Sequence, residues 1–359
     1  MKAVDARRGE PAMKIRARTK EGDFAFSCEP GERILYAGLR NGVPLPYECA
    51  TGTCGTCKAR GNGAAIDELW REAPGRSFLK PERGEFLMCQ SVSGGSCEIE
   101  VPARLQQAPM AAITPDYRRG RISGIRRLTH DVIFFELGLE RTMRYHPGQF
   151  VVMRAPGVEG FRAYSMVNHE AETDFLQFVV KRKPHGAFCD WLFGWPAEGT
   201  EVEIFGPLGR AVFDPAEGKN LLAIAGGSGI AGIMAILARA RQGGYFAAHK
   251  GAVFFGVRGL ADGFFLDELA DHVAAAAGNL SVTVALSHED PPGGAYPGYP
   301  SLAAASGFVH VVAAQSIARH RDNAVAFVAG PPPMVDGALR MLIIEARLPA
   351  GDIRYDKFG

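Results

Sequence analysis

The stretch Leu45–Ala59, LPYECATGTCGTCKA, decides how the first third of the chain is read. It sets Cys49, Cys54 and Cys57 in a C-x4-C-x2-C spacing, and Cys89 follows 32 positions after Cys57 within FLMCQS at 86–91. Two irons bridged by two sulfides need four thiolates converging from one side, and a compact loop supplies three of them, so the spacing suits a [2Fe–2S] cluster. Gly52 and Gly55 let that loop curl tightly and turn backbone amides toward sulfur. Zinc, a disulfide and inert core thiols are the rival readings. Zinc sites usually show paired C-x2-C knuckles, and inert core cysteines rarely sit in a Gly-rich polar loop. Cys28, Cys97 and Cys189 lie outside the pattern and are read as structural.

Working outward, 359 residues correspond to two or three domains at about 150 residues each. Apolar residues make 47% and charged residues 22% of the chain, a composition that buries real cores. The net charge of +1 leaves no excess field for a phosphate polymer or an anionic membrane, so neither nucleic acid nor membrane is an expected partner. Seven cysteines, odd in number and with four of them crowded into 49–89, fit a reduced, cytoplasmic setting better than a secreted disulfide scaffold. Residues 1–12 are basic without an apolar core and read as a flexible tail. Leu221–Ala238 is 18 residues without a charge, the bare minimum for a membrane span. Its centre is GGSG, and its halves read as a buried strand and a helix.

The punctuation divides the chain into a first segment at 13–103, a linker at 104–116, a second segment at 117–214 and a third at 215–359. The first opens with alternating stretches (Lys14–Thr19, Asp23–Cys28), continues into a short helix at Arg33–Leu39, and closes with a strand at Cys97–Val101. In the second, DVIFFELG, QFVVMR and DFLQFVVK suggest a small antiparallel barrel. In the third, apolar strands (LLAIAG, AVFFGV, SVTVAL, AVAFVAG) alternate with helices (IMAILARA, Leu266–Ala277, Met334–Ala346). That alternation predicts a doubly wound parallel sheet. The Pro- and Gly-rich patch HEDPPGGAYPGYP (288–300) is read as a mobile surface loop.

The cysteine loop and FLMCQS together resemble a plant-type ferredoxin domain of the β-grasp fold, over nearly all of 13–103. In the second segment Arg162-Ala163-Tyr164-Ser165, followed after about 20 residues by HGAFCDWLF (185–193), resembles the flavin domain of the ferredoxin reductase superfamily. The resemblance implies that Arg162 holds the FAD pyrophosphate, that Tyr164 lies against the isoalloxazine, and that Ser165 stands near its reactive nitrogen. Tyr164 and Ser165 are thus the expected catalytic residues. The amides of Gly186, Ala187, Phe188 and Cys189, at a helix start, are expected to bind phosphate, with Lys181 beside them. Cys189 departs from the family, which commonly has Ser or Thr there.

Gly227-Ser228-Gly229-Ile230-Ala231-Gly232 satisfies G-x-G-x-x-G between a predicted strand and helix, which makes a weak motif stronger. The next strand ends in Arg258, without the acidic residue that a Rossmann dehydrogenase places on the ribose. AGGSGIAG, FFGVR with DGFFLDEL, and VAGPPPMV instead resemble the nicotinamide domain of the same superfamily. Gly227, Ser228, Gly229, Gly330, Pro331 and Met334 are its implied nicotinamide-dinucleotide residues. Ala329 replaces the family's cysteine. Arg258 suits either a 2′-phosphate or the adenosine of NADH, and NADH is the reading taken. Phe358, in the terminal YDKFG, is expected over the flavin or as a cap on the last strand.

The order ferredoxin, flavin domain, nicotinamide domain resembles the reductase component of bacterial multicomponent oxygenases of the toluene, phenol and benzoate type. It implies electron flow from NADH through FAD to a [2Fe–2S] cluster, and on to a Rieske-type ferredoxin or an oxygenase hydroxylase. A redox-sensing relay with little turnover is the alternative from another class.

Overall fold

The computed structural model describes residues 11–61, 66–105, 110, 113–194 and 198–358. Most of the expected tail and part of the expected linker (106–109, 111–112) lie outside the described residues. The chain divides into two compact units: residues 1–118 with 151–163 and 203–208, and residues 119–150 with 164–202 and 209–359.

In the first unit, strict alternation makes the opening hairpin. Met13–Thr19 pairs antiparallel with Gly22–Cys28 (Ile15 opposite Phe26) and parallel with Cys97–Glu100 (Ala17 opposite Ile99). Ile15, Ala17, Phe26 and Ile99 therefore share one buried face, as period-two side chains must. The sheet runs in the order Gly22–Cys28, Met13–Thr19, Cys97–Glu100, Lys58–Gly61, Glu85–Leu87. The helix Ile34–Arg40 covers it with Ile34, Leu35, Ala37 and Leu39 buried. Gly38 is what lets the following loop approach, since a methyl there would sit 2.3 Å from Leu45 Cδ1. Glu32, buried just before the helix, accepts from Arg40 Nε (3.0 Å), Arg40 Nη2 (2.9 Å) and the Glu29 amide (2.9 Å), so its charge is fully partnered. Tyr36 stacks on Phe205 with centroids 4.7 Å apart, and meets Phe161 edge-on at 5.5 Å.

Six strands form the second sheet, ordered Arg162–Ser165, Phe150–Arg154, Glu201–Leu208, Asp116–Arg127, Val132–Met143, Thr173–Lys181. Strand Asp116–Arg127 already includes Tyr117, whose ring lies 4.7 Å from that of Phe205.

The third sheet has seven strands in the order Ala295–Tyr296, Tyr299–Ser306, Leu280–Leu286, Gly251–Val257, Asn220–Gly226, Ala324–Gly330, Ile353–Lys357. All its pairs are parallel except the first. Helices Ile230–Gln242 and Leu266–Ala275 contribute Ile233, Leu237 and Leu269 to the core on one face. Helices Val309–Ser316 and Pro332–Ile344 contribute Val312, Val335 and Leu342 to the other. Strand order reverses at Asn220–Gly226: later strands add on one side through Gly251–Val257 and on the other through Ala324–Gly330. That is a topological switch point, where open parallel sheets bind ligands at their carboxyl ends. The uncharged run 221–238 is split between this strand and its helix, and no helix among the described residues is long and apolar enough to cross a membrane.

Three features differ from the sequence expectation. The patch 288–300 is not loop throughout: Ala295–Tyr296 and the start of Tyr299–Ser306 form a hairpin, and buried Tyr296 donates its hydroxyl to the Leu260 carbonyl. Helix Val309–Ser316 and edge strand Ile353–Lys357 carry no strong periodic signal and were not expected.

His169, His272, His310 and His320 are all shifted below the ordinary histidine range, chiefly by burial, with His272 lowered to about 4. A depressed native value means the unfolded chain takes up the proton first, so stability falls as pH drops below about 6.5 and continues to fall toward about 4. The melting temperature is expected to decline from pH 7 to pH 5, with His272 accounting for up to about 3 kcal/mol once fully titrated. His272→Gln should flatten that slope in a pH series of thermal melts.

Candidate functional site

The cysteine loop is built from left-handed backbone conformations that favour glycine. Ala50, Gly52 and Gly55 all take positive φ (55°, 95° and 76°), reversing the chain repeatedly between Cys49 and Cys57. Gly75 comes in from a separate turn: its amide donates to the Gly52 carbonyl at 2.9 Å, and a methyl on it would sit 2.8 Å from that oxygen and 2.9 Å from the Gly55 nitrogen. A methyl on Gly52 would meet Gln90 Cγ at 2.8 Å, and one on Gly55 would meet Phe78 Cδ2 at the same distance. Beneath the loop, the Tyr36 hydroxyl donates to the Ala50 carbonyl at 2.9 Å, and the Met88 amide donates to the Cys57 carbonyl at 3.0 Å. The second contact delivers Cys89, on the turn Met88–Gln90, to Cys57, with sulfurs 3.2 Å apart.

All four predicted thiols are unbridged, and Cys49, Cys57 and Cys89 are buried. Cys49 Sγ accepts the amides of Thr51 (3.4 Å) and Thr53 (3.3 Å), and Gln90 Nε2 lies 3.8 Å from Cys89 Sγ. The Cys54 thiol and these amides pull the Cys49 thiol down to about 4, while Cys54 and Cys57, each facing a partner sulfur in a buried place, are pushed up. Converging thiols with amides aimed at sulfur make a donor set fit for an iron–sulfur cluster. Cys28 is different in kind: burial pushes it up to about 12, and its thiol faces the Glu29 and Glu32 carbonyls.

On the strand Arg162–Ser165, the Arg162 guanidinium donates to the Glu159 carbonyl (3.4 Å) and the Phe161 carbonyl (3.0 Å) of its own loop. Tyr164 lies 5.0 Å from Phe188 at 42°, so ring and helix start come together. Helix Ala187–Gly194 follows a turn in which His185 has φ 58° and the Gly186 amide bonds to the Lys183 carbonyl. The first turn of any α-helix leaves amides without intrahelical acceptors, a fit for phosphate. The buried Cys189 thiol donates to the Lys181 carbonyl at 3.6 Å, so the side chain that replaces the family's Ser or Thr ties helix to strand. Ser165 Cβ lies 3.7 Å from where a methyl on Gly232 would be, which brings it to helix Ile230–Gln242.

At the switch point the two glycine-bearing loops touch. A methyl on Gly229 would sit 2.2 Å from the Ala329 carbonyl oxygen, and one on Gly226 would sit 3.0 Å from Met334 Cε and 3.3 Å from Pro331 Cδ. Gly330, at φ 156°, takes a conformation that favours glycine, and a methyl on it would sit 3.2 Å from the Gly226 nitrogen and 3.3 Å from the Gly226 oxygen. These contacts bring the glycine-bearing loops after the two strands, 226–229 and 329–334, together into one cradle. The Phe358 amide donates to the Gly330 carbonyl at 3.2 Å, so the C-terminus reaches the same cradle. Arg258 is exposed one strand away, its carbonyl accepting the His288 amide at 2.9 Å. Lys181 pairs with Asp131 (3.1 Å) and leans on Gly227. Gly75, Gln90 and Asp131 were missed in the sequence. Only Gln90 carried a signal, its place directly after Cys89.

Residues 19–93 match the 2Fe-2S iron-sulfur cluster binding domain, residues 119–213 the oxidoreductase FAD-binding domain, and residues 223–340 the oxidoreductase NAD-binding domain. This fold and site define an iron–sulfur flavoprotein oxidoreductase that uses a nicotinamide dinucleotide. The chain is 34% identical over 339 residues to the ferredoxin–NAD(+) reductase component of the alkene monooxygenase system of Xanthobacter autotrophicus, covering 93% of this chain and 98% of that protein. It is 32% identical over 341 residues to a ferredoxin–NAD(P)(+) reductase of Metapseudomonas resinovorans, covering 94% and 98%. Among solved structures, the ferredoxin reductase in carbazole 1,9a-dioxygenase superposes with a TM-score of 0.81 at 28% identity, covering 98% of this chain and all of that one. The chain belongs to the family of ferredoxin–NAD(P)+ reductases, and its cofactors are a [2Fe–2S] cluster, FAD and NADH.

Gly75→Ala drives a methyl into two backbone atoms that cannot give way. Iron content and the visible absorbance of the cluster are expected to fall by more than half, with flavin content unchanged. The strain corresponds to a cost of ~2 kcal/mol or more, the usual order for overpacking.

Proposed function

We propose that this chain is the reductase component of a multicomponent bacterial oxygenase, delivering electrons from NADH to a ferredoxin of the Rieske type or to the oxygenase hydroxylase itself, in the cytoplasm. The observation that carries the reading is the presence of two close thiol pairs, Cys49 with Cys54 and Cys57 with Cys89, on the same polypeptide as the glycine cradle of the switch point. One chain then holds every station of the relay. The relatives support the setting: besides the component of the alkene monooxygenase system, a reductase component of phenol 2-monooxygenase from Pseudomonas is 29% identical over 337 residues.

Bound FAD would supply the conversion between the two-electron chemistry of NADH and the one-electron chemistry of the two-iron centre, and the protein's part is to hold and orient these groups. Cys49, Cys54, Cys57 and Cys89 hold the cluster, with the Thr51 and Thr53 amides turned to sulfur. Arg162 and the amides of Gly186 to Cys189 would hold the FAD pyrophosphate, while Tyr164 and Ser165 would stand against the isoalloxazine. Gly227, Ser228 and Gly229 would admit the dinucleotide close to the backbone, Gly330, Pro331 and Met334 would shape the nicotinamide end, Phe358 would lie over the flavin face, and Arg258 would meet the adenosine. Lys181 supplies a positive charge to the phosphates. The acceptor is read as docking at the rim of the cysteine loop, where Leu69, Trp70 and Phe78 are exposed at 44, 36 and 62%. Of the acidic residues nearby, Glu68 is engaged by Arg76.

Cys89→Ser separates the stations. NADH-driven reduction of ferricyanide, which the flavin serves directly, is expected to stay within about twofold of wild type. Reduction of cytochrome c or of a Rieske ferredoxin is expected to fall to background. Undiminished one-electron delivery in this variant would contradict the proposed route.

A further inference from the structure

The approach to the glycine cradle is guarded by an ion pair whose acidic member, Asp131, is in none of the expected cofactor contacts. Asp131 stands at the start of the strand Val132–Met143, and its carboxylate meets Lys181 Nζ at 3.1 Å, both groups largely shielded from solvent. The carboxylate is itself fixed. Thr129 donates its hydroxyl to Asp131 Oδ1 at 3.1 Å, while the Asp131 amide donates to the Thr129 oxygen at 3.3 Å. The Arg182 amide donates to the Asp131 carbonyl at 2.7 Å, so the residue after Lys181 is clamped to the same turn. His130 lies between Asp131 Oδ2 (3.8 Å) and Asp262 Oδ1 (3.6 Å), and Asp262 Oδ2 accepts the Gly259 amide at 3.0 Å. The lysine stem crosses the cradle: a methyl on Gly227 would meet Lys181 Cδ at 3.6 Å.

We propose that Asp131 is a positioning residue for NADH. It holds the Lys181 ammonium beside Gly227, at the start of helix Ile230–Gln242, where a phosphate oxygen of the dinucleotide arrives. An ammonium has three donors, so it keeps the carboxylate and takes the phosphate together. A free lysine loses rotamer freedom on binding, whereas one already held loses little, and the difference appears as affinity. This rests on the reading of residues 227–229 as the dinucleotide loop.

The test is steady-state kinetics of the holoenzyme with NADH and ferricyanide, with flavin and cluster absorbance checked in every variant. Asp131→Asn is expected to raise KM for NADH roughly five- to tenfold and to leave kcat within about twofold, with Asp131→Glu largely restoring KM. Lys181→Met is expected to raise KM at least as much, and the double variant to be no worse than Lys181→Met alone, because the carboxylate acts only through the lysine. A Lys181→Met KM equal to wild type would overturn the inference by removing the lysine from binding. A raised KM in Lys181→Met with an unchanged KM in Asp131→Asn, or with penalties that add in the double variant, would overturn the role of Asp131 alone. Gly229→Ala isolates the loop reading: an unchanged KM there would overturn that reading and the inference with it.

Discussion

The architecture turns on a steric constraint: the backbones of Gly52, Gly55 and Gly75 meet at distances no side chain tolerates, and that contact curls the loop around the four thiols. Cys49, Cys54 and Cys57 are placed by the positive-φ reversals at Ala50, Gly52 and Gly55, and Cys89 by the bond from the Met88 amide to the Cys57 carbonyl. Gathering thiols in a buried place is unfavourable in the absence of a counter-charge, since each either stays protonated or becomes a buried anion. The upward shifts of Cys54 and Cys57 and the downward shift of Cys49 are that conflict written on the side chains. A two-iron centre resolves it by taking all four as thiolates, which is why binding and loop order are coupled.

A second close approach of the same type organises the other end of the relay. Gly229 against the Ala329 carbonyl, and Gly330 against the Gly226 backbone, let the two strands flanking the switch point bring their carboxyl-terminal loops into contact. The parallel sheet supplies the position, and the missing side chains supply the access. The loss of the family's cysteine at Ala329 leaves this geometry intact, because its carbonyl rather than its side chain receives the glycine. At Cys189 the substitution has a structural counterpart, a thiol bonded to the Lys181 carbonyl.

What could be read from the sequence was what is local in it. Three cluster ligands fall within nine residues, so spacing alone announced them, and the strand–glycine–helix unit at 220–242 was legible because its apolar runs are long and uncharged. What escaped is held by contacts distant in sequence. Gly75 lies 18 positions past Cys57 with no motif around it, and Asp131 meets Lys181 only after the hairpin between them has formed. Helix Val309–Ser316 is rich in valine, a composition that points to strand, and its packing beneath the sheet overrides that preference. Ile353–Lys357 is a half-buried edge strand with charges on it, and Tyr296 was hidden in a run of Pro and Gly that reads as turn.

We assign the four sulfurs of Cys49, Cys54, Cys57 and Cys89 to a two-iron, two-sulfide centre that NADH reduces through the flavin. The direct measurement is iron and acid-labile sulfide per chain on anaerobically purified protein, followed by low-temperature electron paramagnetic resonance after adding NADH. About two irons and two sulfides per chain are expected, with the rhombic signal of a reduced [2Fe–2S] cluster appearing on addition of NADH. Zinc bound to these cysteines, or a reconstituted protein that shows only flavin and no such signal, would contradict this assignment.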